Sequence, residues 1–268
     1  MPRKLATLWI GDTLGQIEQI SARSFLDTGH QLTIYAYEPM GGIPEGAEVR
    51  NAASIFDVAP ILRYKNGSPS LHSNLFRYAL MEKTDQVWVD LDIVALRAFE
   101  FDTDHIYGME TEDLVNGAVL RLPKGSKTLE RLAKYTPDTR GYHPNAGPIG
   151  RAWAKFITGG KGQTLADWGW GATGPRALTK HLKETGEIAH ALPTEAFYPV
   201  HWKDVRRLIE KGGIDRSGLA DASFAVHLWG FHLARAMKRR GGGFHPNSFI
   251  GETERGLLPR DIFRAVPK

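Results

Sequence analysis

The sequence predicts an α/β fold with parallel strands, and three stretches carry that expectation. Ala6-Thr7-Leu8-Trp9-Ile10 reads as a strand stopped by Gly11-Asp12. Leu14, Ile17, Ile20 and Phe25 then recur at helical spacing, with Gly29 where a helix would stop. Gln31 to Tyr37 alternates as a second strand and ends in Glu38-Pro39, with a Gly/Pro loop after it. A strand, a helix and a strand with joins this short form a βαβ unit, in which the two strands run parallel.

The remaining elements follow in order. Val49 to Leu62 is a mixed segment, and Lys65-Asn66-Gly67-Ser68-Pro69 is a loop. Leu75, Phe76, Ala79 and Leu80 predict a helix over 73–82, which leads into the run Val87 to Val94, VWVDLDIV. Short strands are expected at 104–109 and 118–122, and helices at 126–135, 175–183 and 205–211. The basic, Gly-rich stretch Met237 to Phe244 reads as a turn. Gly159-Gly160-Lys161-Gly162 and Gly212-Gly213 read as surface loops. With no internal repeat and no long linker, a single domain over 1–268 is expected.

Composition narrows the class. The chain has 42% apolar and 24% charged residues, as an ordinary globular protein does. No apolar stretch approaches membrane-spanning length, and MPRKLATLWIGD lacks a signal-peptide core. The absence of cysteine excludes disulfides, thiolate zinc sites and a cysteine nucleophile, and suits a cytoplasmic location. The net charge of +4 suits a phosphate-bearing ligand, nucleic acid or an anionic membrane surface. The Lys and Arg residues are scattered rather than striped, which argues against nucleic acid. Lys238-Arg239-Arg240 is the candidate for peripheral membrane contact.

The run VWVDLDIV is the strongest chemical signal. As one continuous strand it would place Val87, Val89, Leu91 and Ile93 on an apolar face and Trp88, Asp90, Asp92 and Val94 on the other. Both carboxylates would then point the same way, with Cα atoms roughly 7 Å apart. Like charges at the end of a buried strand repel and lose hydration, and a hard divalent ion such as Mg²⁺ or Mn²⁺ relieves both. The alternative is an Asp pair that reaches water where the strand ends. In the preceding helix Asn74 and Arg77 share a face, and Arg77 lies thirteen residues before Asp90. A guanidinium there would serve a diphosphate or sugar hydroxyls. It would equally serve an ion pair holding the helix to the sheet.

The stretch LHSNLFRYALMEKTDQVWVDLDIVAL resembles the signature of glycosyltransferases with a DXD sugar-binding region. That group includes bacterial polysaccharide and capsule enzymes, initiating mannosyltransferases and the catalytic domains of large glucosylating toxins. The family pattern is Ser-Asp, then Arg three residues after that Asp, then Asp-x-Asp sixteen residues after it. Ser73, Asn74, Arg77, Asp90 and Asp92 occupy those places. The opening LWIG matches as well, and SARSFLDTGHQLTIYAYEP resembles the second element of bacterial members. The likeness spans most of the first 120 residues and weakens toward the C-terminus. Two departures stand out: Asn74 replaces the family Asp, and Thr84-Asp85 replaces a Gly-Gly turn.

The resemblance implies a GT-A nucleotide-diphospho-sugar transferase fold, a Rossmann-like mixed sheet flanked by helices. It also implies one Mn²⁺ or Mg²⁺ and a nucleoside-diphosphate sugar, with UDP favoured. A hexose would pass to an acceptor hydroxyl, in polysaccharide or glycoconjugate synthesis. Retention of configuration is implied, with the leaving diphosphate assisting acceptor deprotonation. Leu8, Trp9 and Ile10 would border the nucleotide, with Trp9 stacked on the base; its alternative is a core Trp. Ser73, Asn74 and Arg77 would orient the sugar, Asp90 would hold ribose and sugar, and Asp92 would ligate the metal. Asn116 resembles the family's sugar-contacting Asn, although Asn116-Gly117 is also a turn pair. In SFAVHLWG, His227 is a third metal candidate and Trp229 would cover the diphosphate. A His in an apolar run is otherwise a core residue. Asn74 motivates a second expectation, a nucleotide-sugar-binding protein of the same fold with lost or reduced catalysis.

GWGATG at Gly169 to Gly174 matches GxGxxG, but QTLADW before it is a poor strand, so the dinucleotide fingerprint lacks its context. In the resembled family a Gly-Pro followed by Thr recurs late in the fold, as do Gly174-Pro175 and Thr179. Trp168 and Trp170 are candidates for a sugar-stacking wall or for the core. His143, His201 and His245 lack ligand spacing and are assigned to surface or loops.

Overall fold

A computed structural model describes residues 3–214, 219 and 221–256. The expected domain over 1–268 extends past these, and residues 257–268 lie outside the described residues. The chain begins with β1 (Lys4–Trp9), α1 (Gln16–Asp27) and β2 (Gln31–Ala36), the predicted βαβ unit. α1 turns Ala22 and Phe25 inward and ends before Gly29, whose φ of 86° reverses the chain at no steric cost. β3 (Glu48–Asn51) and a 3₁₀ turn at Ala52–Ser54 form from the mixed segment. α2 (Ser70–Lys83) delivers the chain to β4 (Val87–Val89) and β5 (Ile93–Ala95).

β6 (Ile106–Thr111) and β7 (Leu114–Arg121) form a hairpin, followed by α3 (Lys127–Leu132). Then come β8 (Arg140–Gly141), α4 (Pro148–Ile157), β9 (Gln163–Thr164), α5 (Ala177–Thr185), β10 (Ala225–His227), α6 (Gly230–Arg239) and α7 (Phe249–Glu254). The expected helix at 205–211 is a 3₁₀ segment over Trp202–Leu208. Met237 to Arg239, expected in a turn, close α6 before the glycines of that stretch begin.

The main sheet has strand order β3-β2-β1-β4-β7-β6. β1, β2, β3 and β4 run parallel, and β7 and β6 add antiparallel strands at one edge. This mixed sheet, flanked by helices, is a GT-A-like arrangement. Its two faces each bury a core layer. Leu5, Phe25, Ile34, Val89, Phe99 and Phe197 fill one, and Ala6, Tyr35, Phe76, Leu80, Trp88, Leu120 and Leu178 the other. Successive residues of β1 therefore alternate between layers, as pleating requires.

The chain leaves β1 toward β2 and β3 on one side and returns to β4 on the other. Strand order thus reverses between β1 and β4, and such a switch point opens a crevice at the carboxyl ends of the strands. Those ends are Trp9-Ile10-Gly11 and Asp90-Leu91-Asp92.

VWVDLDIV is not one strand. It breaks at Asp90-Leu91-Asp92, and β5 leaves the main sheet to pair antiparallel with β10, Ile93 opposite His227. Two serines of α1 hold β5 in that course. Ser21 Oγ donates to the Ile93 carbonyl at 2.6 Å, and Ser24 Oγ accepts from the Ala95 N–H at 2.9 Å. The carboxylates come together because the chain turns between the two strands, not because they share a strand face.

Phe25 is fully buried and packs edge-on to Phe99 at 6.1 Å between ring centroids. Phe25→Ala is expected to lower unfolding free energy by about 3–5 kcal/mol in urea titration, with the slope unchanged.

Candidate active site

Arg77 emerges from α2 into the space behind β4 and β7. Its side chain is almost fully buried, with Nη1 donating to the Gly117 carbonyl at 2.6 Å and Nη2 to Asp90 Oδ1 at 3.2 Å. The guanidinium lies 4.6 Å above the Trp88 ring. Trp88 Nε1 donates to the same Asp90 oxygen at 2.7 Å. Oδ2 of Asp90 is the oxygen that neither donor engages. The Asn116-Gly117 pair lies inside β7, so the turn alternative is overturned. A Cβ on Gly117 would come within 2.8 Å of Arg77 Nη1, which is the reason a glycine suits this strand position.

Asp92 sits across the turn. Its Oδ1 lies 3.2 Å from His227 Nε2, and its Oδ2 accepts the Gly230 N–H at 2.8 Å, where α6 begins. The helix dipole adds to that bond. The geometry depends on Trp229, which adopts φ 56° and ψ 58°, an uncommon conformation for a bulky residue. Trp229 is held there by its indole N–H, which donates to the Val200 carbonyl at 2.7 Å, and by contact with the His227 ring at 4.1 Å.

Asp90, Asp92 and His227 together present three ligand atoms within 4.8 Å of one another. Burial pushes the Asp90 carboxyl above its ordinary range, against the pull of Arg77 and the neighbouring donors. Burial also works against charge on Asp92. The His227 imidazole and the Gly230 N–H outweigh it and hold that carboxyl below its ordinary value. For His227 burial favours the neutral ring, but Asp92 and then Asp90 overcome it and raise the imidazole above its ordinary value. Two carboxylates pushed in opposite directions, beside an imidazole pushed upward, are the pattern of perturbed groups that clusters at functional sites.

Four residues singled out by sequence carry buried polar atoms without a hydrogen-bond partner among the described residues: Trp9 Nε1, Arg77 Nε, Trp168 Nε1 and His227 Nδ1. Buried polar atoms are satisfied as a rule, and Arg77 and His227 both contact the carboxylates of this centre, so these two orphaned atoms favour a bound polar ligand there. The donor set of two carboxylates and an imidazole fits Mn²⁺ or Mg²⁺.

The remaining expected residues lie on α2, on β7 and at the end of β1. Asn74 is buried and donates to Thr173 Oγ1 at 3.1 Å, and Ser73 lies beside it on α2. Asn116 Nδ2 donates to Glu110 Oε2 at 2.8 Å, and its Oδ1 accepts from the Ala118 N–H. Leu8 is buried in one core layer with Ile10 at its margin, while Trp9 packs partly buried on the other. Three residues escaped the sequence. Tyr198 is buried, reaches the Asn116 carbonyl at 3.4 Å, and has a phenol pushed well up by burial and by Asp90. Thr173 links Asn74 to Tyr64, and Gly230 holds Asp92. The Gly-Pro-Thr pattern at 174–179 pointed to the region of Thr173 and the stretch SFAVHLWG ends in Gly230, but Tyr198 left no spacing signal.

Comparison with known proteins places the chain. A family profile described as the alpha 1,4-glycosyltransferase conserved region matches residues 163–242. The chain is 27% identical over 183 residues to the lactosylceramide 4-alpha-galactosyltransferase of Mus musculus, covering 62% of this chain and 44% of that protein. It is 25% identical over 169 residues to those of Homo sapiens and Pongo pygmaeus, covering 59% of this chain and 40% and 66% of theirs. The chain is related to glycosyltransferases. It spans less than two thirds of the length of each of these relatives. No solved structure matches it.

This glycosyltransferase-related segment, 163–242, contributes Thr173, Tyr198, His227 and Gly230 to the site, and the DXD turn precedes it. GWGATG follows a 3₁₀ turn at Leu165–Trp168 rather than a strand, which removes the dinucleotide context. Trp168 is buried against Tyr135 and Trp170 is exposed, so they form no common wall. His143 and His201 serve loop contacts, as does His245.

The Asp92–His227 pair carries a pH signature. His227, raised above 6.5, contributes stability that is fully present below that pH and is lost as pH rises through its folded value. Asp92, lowered below 3.8, contributes stability that is fully present above that pH and is lost as pH falls through its folded value. In EDTA, the Tm advantage of wild type over His227→Gln should peak between these two values and shrink on both sides. A pH-independent difference would show that the pair does not titrate this way.

Proposed function

We propose that the protein is a metal-dependent glycosyltransferase that moves a hexose from a nucleoside-diphosphate sugar to an acceptor hydroxyl. The carrying observation is the convergence of Asp90, Asp92 and His227, with Arg77 bonded to Asp90, at the switch point of the sheet. The names of the relatives favour galactose as the sugar and a glycolipid as the acceptor. The family resemblance favours UDP as the carrier.

Asp90, Asp92 and His227 would hold a divalent ion, which when bound supplies Lewis-acid neutralisation of charge on the leaving diphosphate. Arg77 fixes one Asp90 oxygen and leaves Oδ2 to face the ligand. Asn74 and Asn116 offer polar groups to sugar hydroxyls from α2 and β7. Trp9 offers its ring to the base from the end of β1. No side chain is assigned as general base, and Tyr198 is an unsuitable one because its phenol holds its proton.

Turnover of UDP-galactose, read as UDP release with and without Mn²⁺, tests this reading. Asp92→Ala should reduce metal-dependent turnover by about a thousandfold, the scale of removing a main transition-state contact. Gly230→Ala puts a Cβ 3.1 Å from Asp92 Oδ2 and should weaken Mn²⁺ binding in calorimetry with little change in Tm. Since His227 must be neutral to ligate, Mn²⁺ affinity should fall as pH drops through its raised pKa.

Asn74 supports a second reading, a binding protein that has lost catalysis. Tight, Mn²⁺-dependent UDP binding without sugar release from any nucleotide sugar would favour it.

A further inference from the structure

α4 presents an apolar face to solvent. Of its ten residues only Ala154 is buried, while Ile149, Trp153, Phe156 and Ile157 are 87%, 63%, 78% and 53% exposed. Their spacing of four, three and one places them on a single stripe. A concentrated apolar stripe of this kind marks an interaction surface.

The charge around it selects the occupant. Between Thr139 and Ala166 the sequence carries Arg140, Arg151, Lys155 and Lys161 and no Asp or Glu. All four cations are exposed, and none forms an ion pair among the described residues. A second copy of the chain docking through this face would bring like charges together. An anionic bilayer would neutralise them while taking the apolar stripe into its interface, where Trp153 is at home.

The mounting also fits display rather than burial. β8 and β9 pair at the base of the excursion, and Gly141 lies against the Trp168 ring so closely that a Cβ would sit 3.2 Å from it. The excursion continues directly into Thr173, which bonds Asn74. The basic cluster Lys238-Arg239-Arg240, by contrast, closes α6, and Arg240 is paired with Glu210.

We propose that α4 is an interfacial helix that docks this protein on an anionic membrane surface. The docking is independent of which sugar the protein transfers.

The test is co-sedimentation of the full chain with vesicles of phosphatidylcholine alone and of phosphatidylcholine mixed with phosphatidylglycerol. Binding is expected only to the mixed vesicles and should weaken with added salt. The double variants Trp153→Ser/Phe156→Ser and Arg151→Glu/Lys155→Glu should each lower the partition coefficient by about tenfold. Tm and turnover on a water-soluble acceptor should stay unchanged. Failure of wild type to bind the mixed vesicles, or equal binding by both variants, overturns the proposal. So does light scattering that shows a dimer dissolved by Trp153→Ser/Phe156→Ser in a protein that ignores vesicles.

Discussion

The buried guanidinium of Arg77 is the contact on which the rest of the site depends. It ties α2 to β7 through the Gly117 carbonyl and to the end of β4 through Asp90, while stacking over Trp88. A charge this deep is costly unless its donors are met, and breaking one partner of such a pair leaves the other stranded. Lysine would not substitute, since a single ammonium cannot span a carbonyl and a carboxylate while lying flat on an indole. The same contact decides which face of Asp90 remains open to a ligand.

Much of this centre was legible in the sequence because it rests on local spacing. The interval from Arg77 to Asp90 is one helix, one turn and one strand, and the structure closes it to a hydrogen bond. The βαβ opening was legible for the same reason. α1 and its flanking strands are short, strongly patterned and joined by few residues. His227 was legible only as a candidate, since an apolar run with one imidazole fits a core strand equally well.

What was hidden depends on partners far along the chain. The break inside VWVDLDIV comes from Ser21 and Ser24 on α1 and from β10, and a β-propensity argument sees none of them. Asn116-Gly117 reads as a turn by local chemistry, yet tertiary packing against Arg77 places it in a strand. α4 carries a helical stripe at Ile149, Trp153, Phe156 and Ile157, yet it is short and lies between Gly-rich stretches, so the sequence reading assigns no helix there, and α6 starts from a left-handed Trp229 that no capping rule anticipates.

The pairing of β5 with β10 has a consequence for synthesis. A ribosome releasing this chain delivers both aspartates long before His227 and the Gly230 amide that complete their surroundings. Until β10 is synthesised, Asp92 lacks the His227 and Gly230 contacts of the folded chain, and β5 lacks its strand partner. Completing the centre therefore requires closing a contact between residues 93 and 227, a pairing of high sequence separation with a correspondingly large loop-closure cost.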